Sequence, residues 1–319
     1  MLTDDLYSTA LLRPATSSNT LLVVSGYASA AFARRHMEDL QSLRDDVRVR
    51  LIVGMPGSRN DHLAFVDLHS RFPGLFEGHY FESYPPVHSK VYGWFDDKVS
   101  SVGFAGSANY SQNAFFETQQ RNQLSAEDPS AIRDLFDRLL PHCVSMPAAH
   151  IALPVGHSQA WSVKDAPPGS VLWEIPDFRV RISFLDRTGN VPERSGLNWG
   201  QRAVQTRALG TAQFVPREPN QAYLSLKKDS RKPGFLPSRA IRFSLVTDDG
   251  KSFDCVRAQD GDKAIHSTDN NSLLGLYIRD RIGVSAGALV TRAHLDAYGR
   301  TDYTIEKLDD ETFLLSLRV

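Results

Sequence analysis

The sequence predicts an α/β domain with a mixed sheet layered with helices, followed by a second domain that is mainly β. In the first half, short apolar segments alternate with amphipathic helical ones, which is typical of α/β folds. After residue 150 the chain is rich in turn residues and lacks periodicity, and short β segments follow. We therefore expect domains at residues 1–153 and 175–319, joined by a linker at residues 154–174.

The first domain opens with an apolar strand, and Ser29 is a suitable N-cap for the helix that follows it. Two later strands enclose a turn at residues 96–98 and are expected to pair as a hairpin. The expected strands are residues 20–25, 47–54, 87–95 and 99–105. The expected helices cover residues 30–44, a segment that Asn60 or Asp61 opens and that contains His62, Phe65 and Leu68, and residues 131–140.

The second domain contains many short strands with turn residues between them, which favours a barrel or a sandwich-like fold. Residues 248–251, Asp-Asp-Gly-Lys, are typical of a hairpin turn. The expected strands are residues 178–185, 223–226, 240–247, 253–259, 289–292 and 312–317, and the expected helices are residues 271–280 and 292–298.

Composition places the chain among soluble globular proteins, with 41% hydrophobic and 23% charged residues in 319. No run of eighteen apolar residues occurs, and the N-terminus lacks the pattern of a secretory signal. Cys143 and Cys255 have no metal-binding spacing, and we expect buried thiols rather than a disulfide. We expect a cytoplasmic bacterial protein that does not bind a membrane.

The net charge of −1 hides an uneven distribution of charge along the chain. Residues 179–242 contain 13 basic and 4 acidic side chains, a net charge of +9. Such an excess attracts a polyanion, although scattered arginines on a β surface also serve solubility alone. We favour nucleic-acid binding by the second domain.

The strongest chemical signal is His88-Ser89-Lys90, followed by Gly106-Ser107-Ala108-Asn109. A phosphodiester repels anionic nucleophiles, so its cleavage requires positive donors around the phosphate and a neutral nucleophile. His88 and Lys90 lie two residues apart, so on a strand they point to the same face. The predicted hairpin brings Asn109 back toward them. An ordinary half-buried hairpin with a stray histidine is the better explanation of a bare His-x-Lys, but the accompanying Gly-Ser-x-Asn at this spacing favours the catalytic interpretation.

These two segments resemble the signature of the phospholipase D (PLD) superfamily of phosphodiesterases. The resemblance implies a metal-independent mechanism in which His88 is the nucleophile and forms a phosphohistidine. Lys90 and Asn109 then hold the non-bridging phosphate oxygens, with Ser107 in the same motif. Glu117 is the best match for the acid that orients the histidine, although its spacing is imperfect and Gln119 and Gln120 lie nearby. The family's aspartate corresponds loosely to Asp96 or Asp97, which equally suit a turn.

Only one His-x-Lys occurs in the chain. The superfamily uses two histidines, one as the nucleophile and one as the general acid. By resemblance, we therefore predict a homodimer in which two copies meet at the site through their first domains. Gly26 and Tyr27 are expected near this site, because glycine allows close approach of a phosphate, although a plain strand-to-helix turn explains Gly26 equally.

Two loops of the second domain are rich in side chains that hydrogen-bond base edges, although polar turns and helix caps have similar composition. Lysines 227 and 228 suit phosphate contacts or a solvated loop. The candidate DNA contacts are Asn198, Trp199, Gln201, Arg202, Arg207, Lys227, Lys228, Asp269, Asn270, Asn271, Arg279 and Arg281.

The combination of both domains resembles restriction endonucleases of the BfiI and NgoFVII type. Short sequence segments such as residues 196–200 are more similar to the NgoFVII branch. This resemblance implies a B3-like pseudobarrel that holds double-stranded DNA with two arms, here residues 198–207 and 266–271. It implies no metal or other cofactor. Some members act with a separate ATP-dependent translocase, and this chain contains no Walker motif of its own.

We therefore predict a type II restriction endonuclease that cleaves double-stranded DNA at specific sequences. The alternatives are a non-specific nuclease with the same chemistry and a lipid phosphodiesterase. The basic stretch and the absence of an amphipathic, aromatic-rich helix argue against the lipid enzyme.

Overall fold

The computed structural model describes residues 1–56, 61–96, 102–116, 121–150, 179–208, 211–226, 235–239 and 241–319, with the backbone alone for 204–208 and 211–214. The chain divides into two compact units, residues 1–152 and 153–319. The predicted linker at residues 154–174 lies outside the described residues and stays a prediction.

The first unit is built on a seven-stranded mixed sheet. Its strands are β1 (Thr20–Ser25), β2 (Arg48–Val53), β3 (Phe76–Phe81), β4 (Lys90–Phe95), β5 (Val102–Gly106), β6 (Leu124–Glu127) and β7 (Cys143–Ser145). Their spatial order is β6-β5-β4-β1-β2-β3-β7. β1, β2 and β3 are parallel to one another, whereas β4 to β7 each pair antiparallel with their neighbours. The sheet is mixed, as predicted.

Helices cover both faces of this sheet, because its central strand is apolar on both sides. Leu21 and Val23 of β1 belong to one core cluster, whereas Leu22 and Val24 pack with Phe136 in another. The helices are α1 (Ala30–Leu43), α2 (His62–Arg71), α3 (Gln112–Phe115) and α4 (Pro129–Leu139), preceded by helical turns at Tyr7–Leu12 and Arg13–Thr16. The α/β layered architecture follows from this pattern.

Of the two predicted helix starts in this unit, one is capped by its own side chain and the other is not. Ser29 Oγ accepts a hydrogen bond of 3.2 Å from the backbone N–H of Phe32 and so caps α1. Asp61 precedes α2 as expected, but its carboxylate instead accepts from the backbone N–H of Ala30, at 2.8 Å. Asp61 therefore stabilises the N-terminus of α1, where the helix dipole favours a negative charge.

The predicted strand at residues 87–95 begins later, at Lys90. The backbone of the preceding residues bonds to the loops that follow β1 and β2. Gly26 N–H donates to Ser89 O at 2.9 Å and Val87 N–H donates to Gly54 O at 3.2 Å. His88 therefore lies in a loop, and most of the predicted turn after β4 lies outside the described residues.

The second unit contains a seven-stranded sheet and a separate two-stranded hairpin. The sheet consists of β8 (Arg179–Ser183), β11 (Leu224–Ser225), β12 (Phe243–Thr247), β13 (Ser252–Ala258), β14 (Ala264–Ser267), β15 (Asp302–Lys307) and β16 (Thr312–Ser316). The hairpin consists of β9 (Val204–Ala208) and β10 (Thr211–Val215), and the helices are α5 (Asn271–Arg281) and α6 (Arg292–Tyr298). The predicted hairpin turn at residues 248–251 joins β12 and β13.

This sheet is nearly barrel-shaped. Its strand order is β11-β14-β13-β12-β16-β15-β8, with β12 and β16 the parallel pair. Although β15 and β11 stand far apart in that order, the hydroxyl of Tyr303 in β15 donates to Ser225 O in β11 at 2.8 Å. The sheet therefore curls until its two ends approach, around a core that includes Phe243, Phe313 and Leu274 of α5.

One predicted strand of this unit, residues 289–292, is wrong. The backbone of Val290, within this segment, forms hydrogen bonds with a side chain and not with a neighbouring strand. Asn198 Oδ1 accepts from the backbone N–H of Val290 at 2.8 Å, and Asn198 Nδ2 donates to Val290 O at 2.8 Å. A single buried amide thus satisfies the backbone groups that a neighbouring strand would have paired. Among the described residues, no helix combines the length and apolar character needed to cross a membrane.

Candidate active site and DNA-binding surface

The residues of the His-x-Lys and Gly-Ser-x-Asn segments meet at one edge of the first sheet. β1 ends at Ser25, which pairs with Lys90 at the start of the antiparallel strand β4. β5 ends at the same edge with Gly106, one residue after the Ala105–Val91 pair. Three loops therefore converge there: residues 26–29, 82–89 and 107–111.

His88 and Lys90 are close in space but differ in exposure. His88 is exposed, whereas Lys90 is buried with 9% of its surface accessible. The ammonium Nζ of Lys90 donates to the backbone carbonyl of His88 at 2.8 Å. Burial lowers the pKa of Lys90, because the charged form loses hydration. A poorly hydrated cation beside an exposed imidazole is suited to binding an anion.

Gly26 lies against His88, so its role is not limited to the turn between β1 and α1. A Cβ atom at position 26 would lie 2.6 Å from His88 Cδ2 and 3.3 Å from His88 Cα. The Tyr27 ring meets the His88 ring edge-on, with 6.0 Å between centroids. The expectation that residues 26 and 27 lie near the site is confirmed, and the absent side chain of Gly26 makes room for the histidine.

Asn109 reaches the same loop. Its Oδ1 accepts from the backbone N–H of Tyr27 at 3.3 Å, so the amide nitrogen is left as a donor. The adjacent Tyr110 fixes the loop, because its N–H donates to Ser25 Oγ at 2.9 Å and its carbonyl accepts from Ser29 N–H at 3.0 Å. Tyr27 thus contacts both His88 and Asn109.

The other two predicted catalytic residues have different surroundings. The hydroxyl of Ser107 donates to Asn122 Oδ1 and accepts from the backbone N–H of Gln123, both at 3.0 Å. Ser107 therefore fixes the chain that enters β6. Glu117, with Gln119 and Gln120, lies outside the described residues.

A buried histidine that the sequence did not reveal supports this loop from below. His36 of α1 is fully buried, with its Nδ1 at 2.7 Å from the Tyr110 hydroxyl and its Nε2 at 3.1 Å from Leu11 O. Because a carbonyl only accepts, Nε2 carries the proton and Nδ1 accepts from Tyr110. Burial lowers the pKa of His36 to about 4, so the ring is neutral at neutral pH.

In the second unit, the predicted first arm begins with a helical turn at Gly196–Gln201. Gln201 and Arg202 are exposed, and Gln201 Nε2 donates to Gly287 O at 3.0 Å. Asn198, in contrast, is fully buried and its amide is satisfied by backbone groups. In this structure Asn198 is therefore not accessible to DNA. The side chain of Arg207, in β9, and both Lys227 and Lys228 lie outside the described residues.

The predicted second arm leads into α5. Asp269 and Asn270 are exposed, and Asn270 Oδ1 caps the helix by accepting from Ser272 N–H at 2.9 Å. Asn271 is half-buried. Arg279 is buried and donates to backbone carbonyls, including Leu197 O at 3.0 Å, so it too is not accessible to DNA.

Arg281 is held by two carboxylates. Its guanidinium lies 2.7 Å from Asp248 and 2.6 Å from Asp249. Burial opposes the charged form, but the hydrogen bond to Asp248 and the nearby Tyr277 outweigh it and raise the pKa of Arg281 above its ordinary value. Arg281 therefore stabilises the hairpin between β12 and β13 within the free protein.

The two predicted arms contact each other through aromatic rings. Trp199 of the first arm lies 5.1 Å from His266 of the second, measured between ring centroids. Tyr223 contacts both rings, at 5.5 Å from each, and stacks on His266 at an angle of 26°. Trp199 of the first arm and His266 of the second thus belong to one aromatic cluster.

Comparison with known families accounts for both units. Residues 4–151 match the NgoFVII restriction endonuclease N-terminal PLD domain, and residues 174–309 match the NgoFVII C-terminal B3-like DNA-binding domain. The chain belongs to the NgoFVII restriction endonuclease family. It is therefore an endonuclease with a PLD domain and a B3-like DNA-binding domain, and DNA is its partner.

The solved structures similar to the chain include three that each cover less than half of it. NucT from Helicobacter pylori is 21% identical with a TM-score of 0.34, over 43% of this chain and 89% of its own. Nuc from Salmonella typhimurium, a phospholipase D family member, is 14% identical with a TM-score of 0.32, over 45% of this chain and 90% of its own. A polyphosphate kinase from Porphyromonas gingivalis is 13% identical with a TM-score of 0.29, over 41% and 20%. No curated protein matches the chain.

The described part of the chain contains no group of three histidine, cysteine, aspartate or glutamate side chains placed to hold a metal ion. Cys143 and Cys255 are free thiols.

Proposed function

We propose that this chain is a type II restriction endonuclease that hydrolyses double-stranded DNA through a phosphohistidine on His88, without a metal ion. The observation that carries the proposal is the arrangement at the edge of the first sheet. An exposed imidazole lies beside the buried ammonium of Lys90, and Tyr27 links it to Asn109. A nucleophile and two donors for phosphate oxygens are the groups that phosphodiester cleavage requires.

In the first step, a neutral ring nitrogen of His88 attacks the phosphorus. The new P–N bond forms as one P–O bond of the DNA backbone breaks. Lys90 Nζ and Asn109 Nδ2 donate to the non-bridging oxygens, where negative charge increases in the five-coordinate transition state. The leaving oxygen takes a proton from a general acid.

In the second step, a water molecule attacks the phosphorus from the side that the leaving group has vacated. The P–N bond breaks, His88 is released, and the DNA strand keeps a terminal phosphate. The general acid of the first step now acts as the base that takes a proton from the water.

The general acid is the His88 of a second copy of the chain. One chain contains a single His-x-Lys, so the proposed reaction requires a homodimer that meets at this site through the PLD domains. By resemblance to enzymes of the NgoFVII type, a separate ATP-dependent translocase is a further proposed partner; the chain has no Walker motif of its own.

The test is a digest of long phage DNA by the pure protein in EDTA. We expect discrete, reproducible fragments, and no cleavage by the His88→Ala variant, with a rate loss of at least about a thousandfold. The exposed His150→Ala is the matched control and should cut like the wild type.

The other outcomes are equally informative. A smear in place of bands would favour the non-specific nuclease. Cleavage that requires added Mg²⁺, or that persists in His88→Ala at the wild-type rate, would overturn the mechanism. Specific binding without cleavage would indicate that the translocase partner is needed.

A further inference from the structure

A half-buried arginine outside both predicted arms lies on the aromatic cluster that joins them. The Arg217 guanidinium carbon is 4.0 Å from the centroid of the Trp199 ring, a cation–π contact. Arg217 NH1 also donates to Gln221 Oε1 at 3.1 Å. Trp199 in turn contacts Tyr223 and His266. The guanidinium is therefore held by contacts with Trp199 and Gln221.

The electrostatic setting of Arg217 is unfavourable for a cation. Burial, and to a smaller extent the nearby Arg202, lowers the pKa of Arg217. Arg217 also lowers the pKa of His266, after the larger effect of burial. The buried Nε of Arg217 has no hydrogen-bond partner among the described residues. Arg217 thus has a positively charged neighbour in Arg202 and a buried donor without a partner among the described residues.

Other arginines of the same unit are paired with carboxylates. Arg181 lies 2.6 Å from Asp302, Arg257 lies 3.1 Å from Asp262, and Arg292 lies 3.3 Å from Asp296. By contrast, no carboxylate contributes to the shift of the Arg217 pKa. The fold neutralises those other arginines itself, whereas the described residues provide no counter-ion for Arg217.

We propose that Arg217, together with Arg202, binds a phosphate of the DNA backbone at the place where the two predicted arms meet. The inference rests on the proposed function, because it assumes that this unit binds duplex DNA. A phosphate supplies the missing negative charge and accepts hydrogen bonds. A planar guanidinium can donate two parallel hydrogen bonds to two oxygens of one phosphate. Trp199 keeps the group oriented, so little side-chain entropy is lost on binding.

A phosphate contact and a base contact differ in a measurable way. A phosphate contact releases counter-ions and contributes to the affinity for any sequence, whereas a base contact affects one sequence. Arg217 is half-buried on Trp199 and has Arg202 as a positive neighbour. Two neighbouring cations attract an anion more strongly than an uncharged base edge, so a phosphate is the favoured ligand.

The experiment measures the affinity of the full chain for a short duplex of arbitrary sequence over a series of NaCl concentrations. All proteins carry His88→Ala, so the duplex stays intact. For Arg217→Gln we expect about a tenfold loss of affinity at low salt. The slope of log K against log salt should become shallower by about 0.9. Arg202→Gln should shift both quantities in the same direction.

Arg292→Gln is the matched control, since it removes the same charge from an ion-paired arginine and should change neither quantity. Arg202 is exposed, so its variant keeps the test valid if Arg217→Gln fails to fold. If Arg217→Gln and Arg202→Gln had the same slope of log K against log salt as Arg292→Gln, the inference about Arg217 would be overturned, whereas the proposed function would stand. If the variants lost affinity only for a duplex that contains the cleaved sequence, and the salt slope stayed unchanged, the assignment of the contact to a phosphate would be overturned. If the background protein bound no duplex, the proposed function itself would fail.

Discussion

At the scale of single residues, the buried ammonium of Lys90 determines the charge next to His88. It lies 2.8 Å from the His88 carbonyl, and burial lowers its pKa from the ordinary lysine value. A lysine whose pKa is lowered loses its charge as the pH rises through that lowered value. Phosphate binding at the site should therefore weaken at a lower pH than a surface lysine would allow.

The lowered pKa of Lys90 predicts a loss of activity at alkaline pH, and an arginine at position 90 should shift that loss. In the wild type, the cleavage rate should fall on the alkaline side as Lys90 deprotonates. In Lys90→Arg the charge persists at every accessible pH, so the alkaline fall should move to higher pH even if the maximal rate is lower. Single-turnover rates over a pH series measure this. An identical alkaline fall in both proteins would assign it to another group.

Some functional residues can be predicted from the sequence, and others cannot. His88, Lys90 and Asn109 are visible because their chemistry is tied to fixed spacing along the chain. Arg217 is one of 13 basic residues between positions 179 and 242, and spacing alone does not distinguish it. Its contact with Trp199 depends on a tertiary arrangement, as do the burial of Asn198 and Arg279.

At the scale of elements, the turn between β1 and α1 positions the nucleophile. Gly26 fits against His88 because it has no side chain, and its N–H donates to Ser89 O at 2.9 Å. The turn is therefore part of the site, although sequence patterns alone are equally satisfied by an ordinary connection.

Gly26→Ala should displace His88 and slow cleavage. The new Cβ, 2.6 Å from His88 Cδ2, forces the ring to move. Misplacement of a reacting group by about 1 Å costs roughly a hundredfold in rate, so we expect a loss of about 10- to 100-fold. The DNA affinity of the B3-like domain should be unchanged. Wild-type single-turnover cleavage by Gly26→Ala would contradict the contact.

Helix α1 supports the Asn109 loop through the buried His36. The pKa of His36 is lowered to about 4 in the folded protein, below the value of about 6.5 expected in the unfolded chain. The unfolded chain therefore binds the proton more readily. The stability that neutral His36 provides is present above pH 6.5 and is lost as the pH falls toward 4.

We expect this histidine to lower the free energy of unfolding by about 2 kcal/mol between pH 7 and pH 5. His36→Gln keeps a donor for Leu11 O and an acceptor for the Tyr110 hydroxyl but does not titrate. Its unfolding free energy should therefore fall less steeply over the same range. Urea unfolding at several pH values measures the difference, and parallel curves for the two proteins would rule out the assignment.

The elements themselves were predictable where local signals were strong. The cap at Ser29, helices α1, α4, α5 and α6, and the turn at residues 248–251 follow from caps, periodicity and turn residues. The strand expected at 289–292 fails because Asn198 binds its backbone. β3, β7 and β15 are short or polar in part, and they are strands because neighbouring strands pair with them.

At the scale of the whole molecule, a catalytic domain with one histidine motif is joined to a DNA-binding domain. If the active site requires two His88 residues from two chains, a mixed dimer of wild type and His88→Ala is inactive. Adding an excess of His88→Ala to a fixed amount of wild type should therefore suppress cleavage nearly completely once the subunits exchange. His150→Ala added in the same excess should not suppress it. Undiminished cleavage with the inactive variant, at concentrations where exchange is verified, would indicate a site within one chain.

The most direct test of the proposed mechanism is the configuration at the cleaved phosphorus. A duplex is made with a single chiral phosphorothioate at the cut position that the phage digest identifies, and it is cleaved in ¹⁸O-labelled water. A phosphohistidine on His88 requires two successive in-line displacements, each with inversion, so we predict net retention of configuration. Net inversion would mean that water attacks the DNA directly, and His88 would then not be the nucleophile.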